Sequence, residues 1–350
     1  MKLIAGSLLT QLLPVWHYIR TDGVMVNSFE ILSKRRIYSS VFRKGLRKLL
    51  SVDVNVALWV DSGGYQFLTH GVNPSVENLA KLYGALAKYE TQNTIFVSLD
   101  YPPLPSDSEN LRKVKIENSI KNYKYLVRKV FNNDEGKLVP VIHLATSKNL
   151  LFKQIESYSD AEIVGVGGLV PYILSRGPRD SRLVALAFIH LVKRMVKEHI
   201  GHDRVHVFGF GAPSVIPFLR LLRVYSTDSM TWRVKAAYGK IILPGCGERH
   251  VTDRVVNFGR MKLSLKEREK LFKLLDEFNR VSREKISFDD LRRDFTKRAI
   301  FNFWVLNMYA HSHDGFMVPR VFRKLMVRVR EIMGLSDDEI LEFIASRFKH

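Results

Sequence analysis

Eight short runs dense in Val, Ile, Leu and Phe recur through the first 243 residues, at 23–27, 56–61, 94–100, 138–143, 163–166, 204–208, 223–226 and 240–243. A strand covered on both faces has no polar side to show, so continuous apolar runs of this length read as strands of a parallel sheet. The segments at 75–90, 108–131, 147–158, 181–199 and 214–222 each open on a Ser able to cap a helix, and they repeat apolar residues at helical spacing. Eight strands with helices between them predict an α/β fold, a (β/α)8 TIM barrel in preference to an open doubly wound sheet. Beyond residue 260 the texture is helix only, at 264–281, 288–310, 318–333 and 336–348. The chain therefore divides into a barrel over 1–260 and a basic C-terminal helical segment over 261–350.

Charge narrows the partners. Lys and Arg number 55 against 35 Asp and Glu, a net charge of +20 in a chain of 350 residues. A field of that sign concentrates polyanions, so nucleic acid is the leading partner. The basic residues of the 261–350 segment are one candidate contact surface, although charge runs also form solvated helix faces. No run of about 18 apolar residues exists to span a bilayer. The apolar stretch 3–15 is interrupted by Thr10, Gln11 and Pro14 and is followed by no small-x-small cleavage site, so a cytoplasmic location is expected. The single cysteine, Cys246, can form neither an intrachain disulfide nor a multi-cysteine metal site, which agrees with a reducing compartment.

In a parallel barrel the chemistry sits at the carboxyl ends of the strands. The polar residues at those points are Asp61-Ser62-Gly63-Gly64-Tyr65-Gln66, Ser98-Leu99-Asp100, His143, Gly167-Gly168-Leu169, Gly209-Phe210-Gly211-Ala212-Pro213 and Asp228-Ser229. Asp61, Asp100 and Asp228 would converge on one mouth, where separate carboxylates can serve as nucleophile, proton shuttle and recognition group. An Asp at a strand end also caps helices, and paired glycines also make turns. No phosphate-loop, dinucleotide or H-E-x-x-H spacing occurs, which argues against nucleotide hydrolysis, hydride transfer and zinc-dependent hydrolysis.

The order of these segments resembles the tRNA-guanine transglycosylase superfamily. Its barrels carry an Asp-Ser-Gly-Gly-aromatic-Gln segment, a guanine-recognising Asp, a Gly-Gly-Leu turn, and a Gly-x-Gly-x-Pro ahead of a nucleophilic Asp. The resemblance covers roughly residues 20 to 250. It implies Asp228 as nucleophile on C1′ of a target nucleoside and Asp61 as general acid and base. It further implies a base pocket in which Asp100 reads the N1-H and 2-amino edge, Gly167, Gly168 and Leu169 meet the other edge, and Tyr65 offers a stacking face. Ser62, Gly63, Gly64 and Gln66 complete that pocket. His143 stands where the family's tRNA enzymes place a Gln.

Two departures matter. The family's zinc site uses Cys-x-Cys-x-x-Cys and a distant His, so with one Cys no zinc or other cofactor is expected. The Asp228-Ser229-Met230-Thr231-Trp232 form, together with Phe301-Asn302-Phe303-Trp304, resembles the branch that inserts 7-deazaguanines into DNA. The expected partners are thus DNA, or otherwise tRNA, and guanine or a 7-deazaguanine base, with a protein partner left open. Tyr101 and Trp232 are candidates to hold an extruded base. The alternatives are a tRNA-guanine transglycosylase proper and a non-catalytic nucleic-acid-binding paralogue.

Overall fold

The computed structural model describes residues 1–72, 75–90, 93–174, 180–253, 262–312, 318 and 322–348. Nine parallel strand segments form one sheet: β1 (Lys2–Gly6), β2 (Gly23–Asn27), β3 (Ala57–Asp61), β4 (Thr94–Val97), β5 (Leu138–Val139), β6 (Val141–Ile142), β7 (Val164–Val166), β8 (Val205–Val207) and β9 (Ser226–Ser229). Their order is β5-β4-β3-β2-β1-β9-β8-β7-β6. The two ends of this series, β5 and β6, are separated by Pro140 alone. Leu138 and Val139 pair with β4, whereas Val141 and Ile142 pair with β7. Proline has no N–H for a ladder, but its carbonyl still accepts from Gly165 N–H at 2.8 Å. One extended run therefore touches both neighbours and closes an eight-stranded α/β barrel.

Side-chain alternation fills it. Ile4, Met25, Trp59, Val97, Val139, Val141 and Ile163 form an apolar cluster contributed from around the ring. Their neighbours along the strands, such as Leu3, Val24, Leu58 and Val60, belong to the two larger clusters under the helices. Successive strand residues face opposite sides, so the first cluster lies inside the barrel.

Three expectations need correction. β1 was not anticipated: its five residues run almost straight into Leu8, Leu9, Leu12 and Leu13, which hides the strand end. The run 240–243 is not a barrel strand. It is β10 (Lys240–Leu243), which makes an antiparallel hairpin with β11 (Gly247–His250). The last barrel strand lies at Ser226–Ser229 instead of 223–226, because its residues are polar. Their polarity is satisfied internally, with Thr227 Oγ1 donating to Val207 O at 2.7 Å and Ser226 Oγ meeting His206 Nδ1 at 2.8 Å.

The late helices cover the barrel in two places. Phe295–His311 packs on the helix Thr231–Ala237 and on β10 and β1, while Arg323–Met333 and Asp337–Ser346 pack on Ser181–His199. The expected helix 288–310 is broken at Asp294, whose side chain caps the second half by accepting from Lys297 N–H. Of the expected helix 318–333, residues 319–321 lie outside the described residues. Asn302 fastens the hairpin. Its Oδ1 accepts from Ile242 N–H at 2.8 Å, and its Nδ2 donates to Lys240 O at 2.9 Å and Trp232 O at 3.2 Å. Asn302 is fully buried, so Asn302→Leu would strand main-chain groups away from water. Denaturant unfolding should show a loss of about 2–4 kcal/mol.

Candidate active site

Because all barrel strands are parallel, their carboxyl ends share one face. There a cavity of about 170 Å³ is lined by Asp61, Gly64, Tyr65, Gln66, Asp100, Gly167, Gly168 and Asp228, with Met25, Val97, Val141 and Phe208 among its apolar walls. The three expected carboxylates thus meet at one opening. Each is held differently.

Asp61 closes β3 directly opposite Asn27, the last residue of β2. Asn27 Oδ1 caps the helix Ser28–Ser33 by accepting from Phe29 N–H, which turns its Nδ2 to donate to Asp61 Oδ2 at 2.8 Å. Among the described residues no cation pairs with Asp61. Loss of hydration, then the negative charges of Asp100 and Asp228, push the Asp61 carboxyl up to about 8, against backbone N–H groups of Gly63 and Ser62 that act the other way.

Asp228 lies on β9. Its Oδ1 accepts from Gly209 N–H at 2.7 Å and faces His206 Nε2 at 3.4 Å. The His206 ring is buried, pinned by Ser226 at Nδ1 and stacked on Trp59 with centroids 4.5 Å apart.

Asp100 follows β4. Its Oδ2 stands 3.2 Å from Nε2 of the buried His143, and Ser62 Oγ lies 3.5 Å from its Oδ1. His143 is gripped through its main chain by the buried Gln154, which accepts from His143 N–H at 2.8 Å and donates to its carbonyl at 3.1 Å. Gly64 must be glycine here. An added Cβ would fall 2.3 Å from Asp100 Oδ1 and 2.6 Å from its main-chain oxygen.

Of the remaining expected residues, Ser62, Gly63, His143 and Leu169 stand behind the cavity surface. Ser62 and His143 back Asp100, Gly63 turns beneath Asn27 and Phe29, and the Leu169 side chain is fully buried in the core. Trp232 is also buried, with its indole N–H bonded to Ser229 O at 2.9 Å and its ring against Phe303, so it is not at the mouth. Tyr101 is half-buried, with its N–H bonded to Ser119 Oγ at 2.9 Å, and does not line the cavity. Asn27 and His206 were missed. The signal for His206 was a lone imidazole between two valines of a buried strand; the signal for Asn27 was its place as the last residue of an expected strand.

No family model matches the chain. "Uncharacterized protein 306" of Sulfolobus islandicus rod-shaped virus 1 is 29% identical over 226 residues, which covers 63% of this chain and 62% of that protein's length. The tRNA-guanine(15) transglycosylase of Nanoarchaeum equitans (strain Kin4-M) is 25% identical over 320 residues, covering 89% of this chain and 71% of that enzyme. The parallel barrel and this second likeness fit the tRNA-guanine transglycosylase superfamily. The superfamily's zinc does not fit the residues present. Cys246 lies in the turn between β10 and β11, and among the described residues no three His, Cys, Asp or Glu side chains gather to hold a metal. Among the same residues no helix is long and apolar enough to cross a membrane.

The Asp61 environment has a measurable consequence. Between about pH 4 and 8 the unfolded chain releases this proton while the folded chain keeps it, so rising pH disfavours the fold across that window. In Asp61→Asn that contribution is absent. Melting temperatures of the variant should fall less than those of wild type as pH is raised through the window.

Proposed function

We propose that this chain exchanges guanine in a polynucleotide for a 7-deazaguanine through two displacements at one nucleoside C1′. The observation that carries the reading is the cavity ringed by Asp61, Asp100 and Asp228, in which one carboxyl is held protonated near neutrality. Asp228 is the nucleophile. Gly209 N–H and His206 occupy the Oδ1 side, which leaves Oδ2 to attack. As the Asp228–C1′ bond forms, the C1′–N9 bond breaks and its electron pair leaves with the guanine. Asp61 supplies the proton that neutralises the departing base. The resulting Asp61 carboxylate then takes the N9 proton of the incoming base. That nitrogen attacks C1′ and releases Asp228.

Asp100 accepts from the N1-H and 2-amino edge of the base, a donor pattern that selects guanine-like rings. The apolar walls of Met25, Val141 and Phe208 face the ring, and Tyr65, half-exposed at the rim, offers a stacking surface. In this reading His143 recognises no base. It steadies Asp100 from behind, so the pocket reads the base carbonyl with other groups. DNA is the polymer suggested by the Asp-Ser-x-x-Trp form, and tRNA is the polymer in the name of the Nanoarchaeum relative. The burial of Trp232 removes it from any part in that choice.

Incubating the protein with labelled guanine or 7-cyano-7-deazaguanine alongside duplex DNA, single-stranded DNA and bulk tRNA tests the reading. Label should become acid-insoluble in one polymer. Asp228→Ala should abolish incorporation, and the rate should decline as pH rises past about 8 and Asp61 loses its proton. No incorporation into any of the polymers would overturn base exchange.

His206→Gln removes the imidazole that faces Asp228 and lies edge-on to Phe208, while leaving the groups that read the base edge in place. It should lower kcat by about tenfold or more while leaving KM for the incoming base within about twofold, a split that separates positioning from binding.

A further inference from the structure

The C-terminal segment, one candidate contact surface for a polyanion, carries no more than its share of the chain's net charge. Over 261–350, 19 Lys and Arg stand against 14 Asp and Glu. Many of its cations are already engaged. Arg292 pairs with Asp253 and Asp289, Lys297 with Glu284 and Asp290, and Arg328 and Arg347 with Asp180. Arg298 is buried, donating to the carbonyls of Ala236 and Leu291. The helix Leu265–Val281 interleaves its exposed cations with Glu269, Asp276 and Glu277.

The segment between Glu30 and Asp53 is the opposite. It contains seven cations and no carboxylate. Arg47 alone is structural, bonded to the carbonyls of Asp53, Val56 and Asn93 and paired with Glu90. Lys34, Arg35, Arg36, Arg43, Lys44 and Lys48 are exposed, and among the described residues none has an ion-pair partner. The helix Arg35–Lys44 is anchored from beneath by Val41, with Ile37 and Phe42 against the same core. Tyr38, stacked on Phe42 at 4.3 Å, is 36% exposed among the cations. Unneutralised like charges held on a rigid helix repel one another, and a polyanion relieves that repulsion while releasing its own counterions.

Position links the start of this surface to the cavity, from which the helix Arg35–Lys44 runs down the barrel wall to Arg47 beside the amino ends of β3 and β4. The segment leaves the barrel at Asn27, which touches Asp61. Only the six-residue helix Ser28–Ser33, about 9 Å of rise, separates Asn27 from Lys34. We propose that residues 34–48 form the dock for the sugar-phosphate backbone of the polynucleotide whose base enters the cavity. The proposal rests on the exchange reading for the identity of the polymer, and its test does not depend on catalysis.

Fluorescence anisotropy of labelled duplex DNA and a labelled tRNA transcript, followed across a KCl series, reads affinity and the number of phosphates neutralised. For Arg35→Gln/Arg36→Gln/Arg43→Gln/Lys44→Gln, affinity for the bound polymer should drop tenfold or more, and for a duplex the slope of log K against log salt should shrink by about 3. The charge-keeping Arg35→Lys/Arg36→Lys/Arg43→Lys should retain the slope, which separates lost charge from lost folding. Lys266→Gln/Lys273→Gln/Arg280→Gln/Arg283→Gln, in the C-terminal segment, should bind as wild type. Unchanged affinity and slope in the first variant, a loss confined to the C-terminal variant, or wild-type binding to anionic vesicles but to neither polymer would each overturn the dock. Dock-dependent binding by a wild-type protein that exchanges no base would support the dock and overturn the exchange chemistry.

Discussion

Carboxylates that share one poorly hydrated cavity repel one another, and the mouth of this barrel is arranged around that repulsion. Asp100 and Asp228 each face a buried imidazole, at 3.2 Å and 3.4 Å. Asp61 faces an amide, which can donate a hydrogen bond but cannot supply charge. Burial first, and then the negative charges of Asp100 and Asp228, push the Asp61 carboxyl up to about 8. A site built from three chemically identical side chains thereby acquires distinct groups.

The barrel fixes where those partners stand. Asp61 and Asn27 are register partners on β3 and β2, β1 separates β2 from β9, and His206 on β8 is the register partner of Ser226 on β9, two residues before Asp228. Each acid is thus supported by a neighbouring or facing strand, a more rigid arrangement than a loop would provide. Closure depends on the run through Pro140, whose two halves serve different neighbours. Without it, β4 and β7 would present open edges beside the residues that carry Asp100 and Gly167.

The barrel class was legible because buried parallel strands must be apolar, and the three acids were legible because strand ends are where a barrel keeps its chemistry. The limits were equally physical. β1 was hidden by leucines that belong to the following loop, and β9 by polar residues whose partners lie on β8, a relation that no local window contains. The hairpin strand β10 looked like barrel because burial by the helix of Asn302 leaves the same apolar signature as burial by a neighbouring strand. Closeness to Asp228 in sequence suggests the mouth for Trp232, yet it is the second residue of the helix Thr231–Ala237 and is buried in the core. Net charge indicated a polyanion but not a location, since location depends on which cations are already paired.

Asn302 reaches further than the hairpin it fastens. It bonds Trp232 O, and the Trp232 indole bonds Ser229 O, the residue next to Asp228. The strand β9, the hairpin and the late helix are therefore joined by a continuous run of buried hydrogen bonds. In the language of hydrogen exchange they form one cooperative unit: amides of Ile242 and of the Phe295–His311 helix would open together with those around Asp228. Substitutions accumulating in the remote helix would be screened by selection on the barrel mouth, although none of them lies at it.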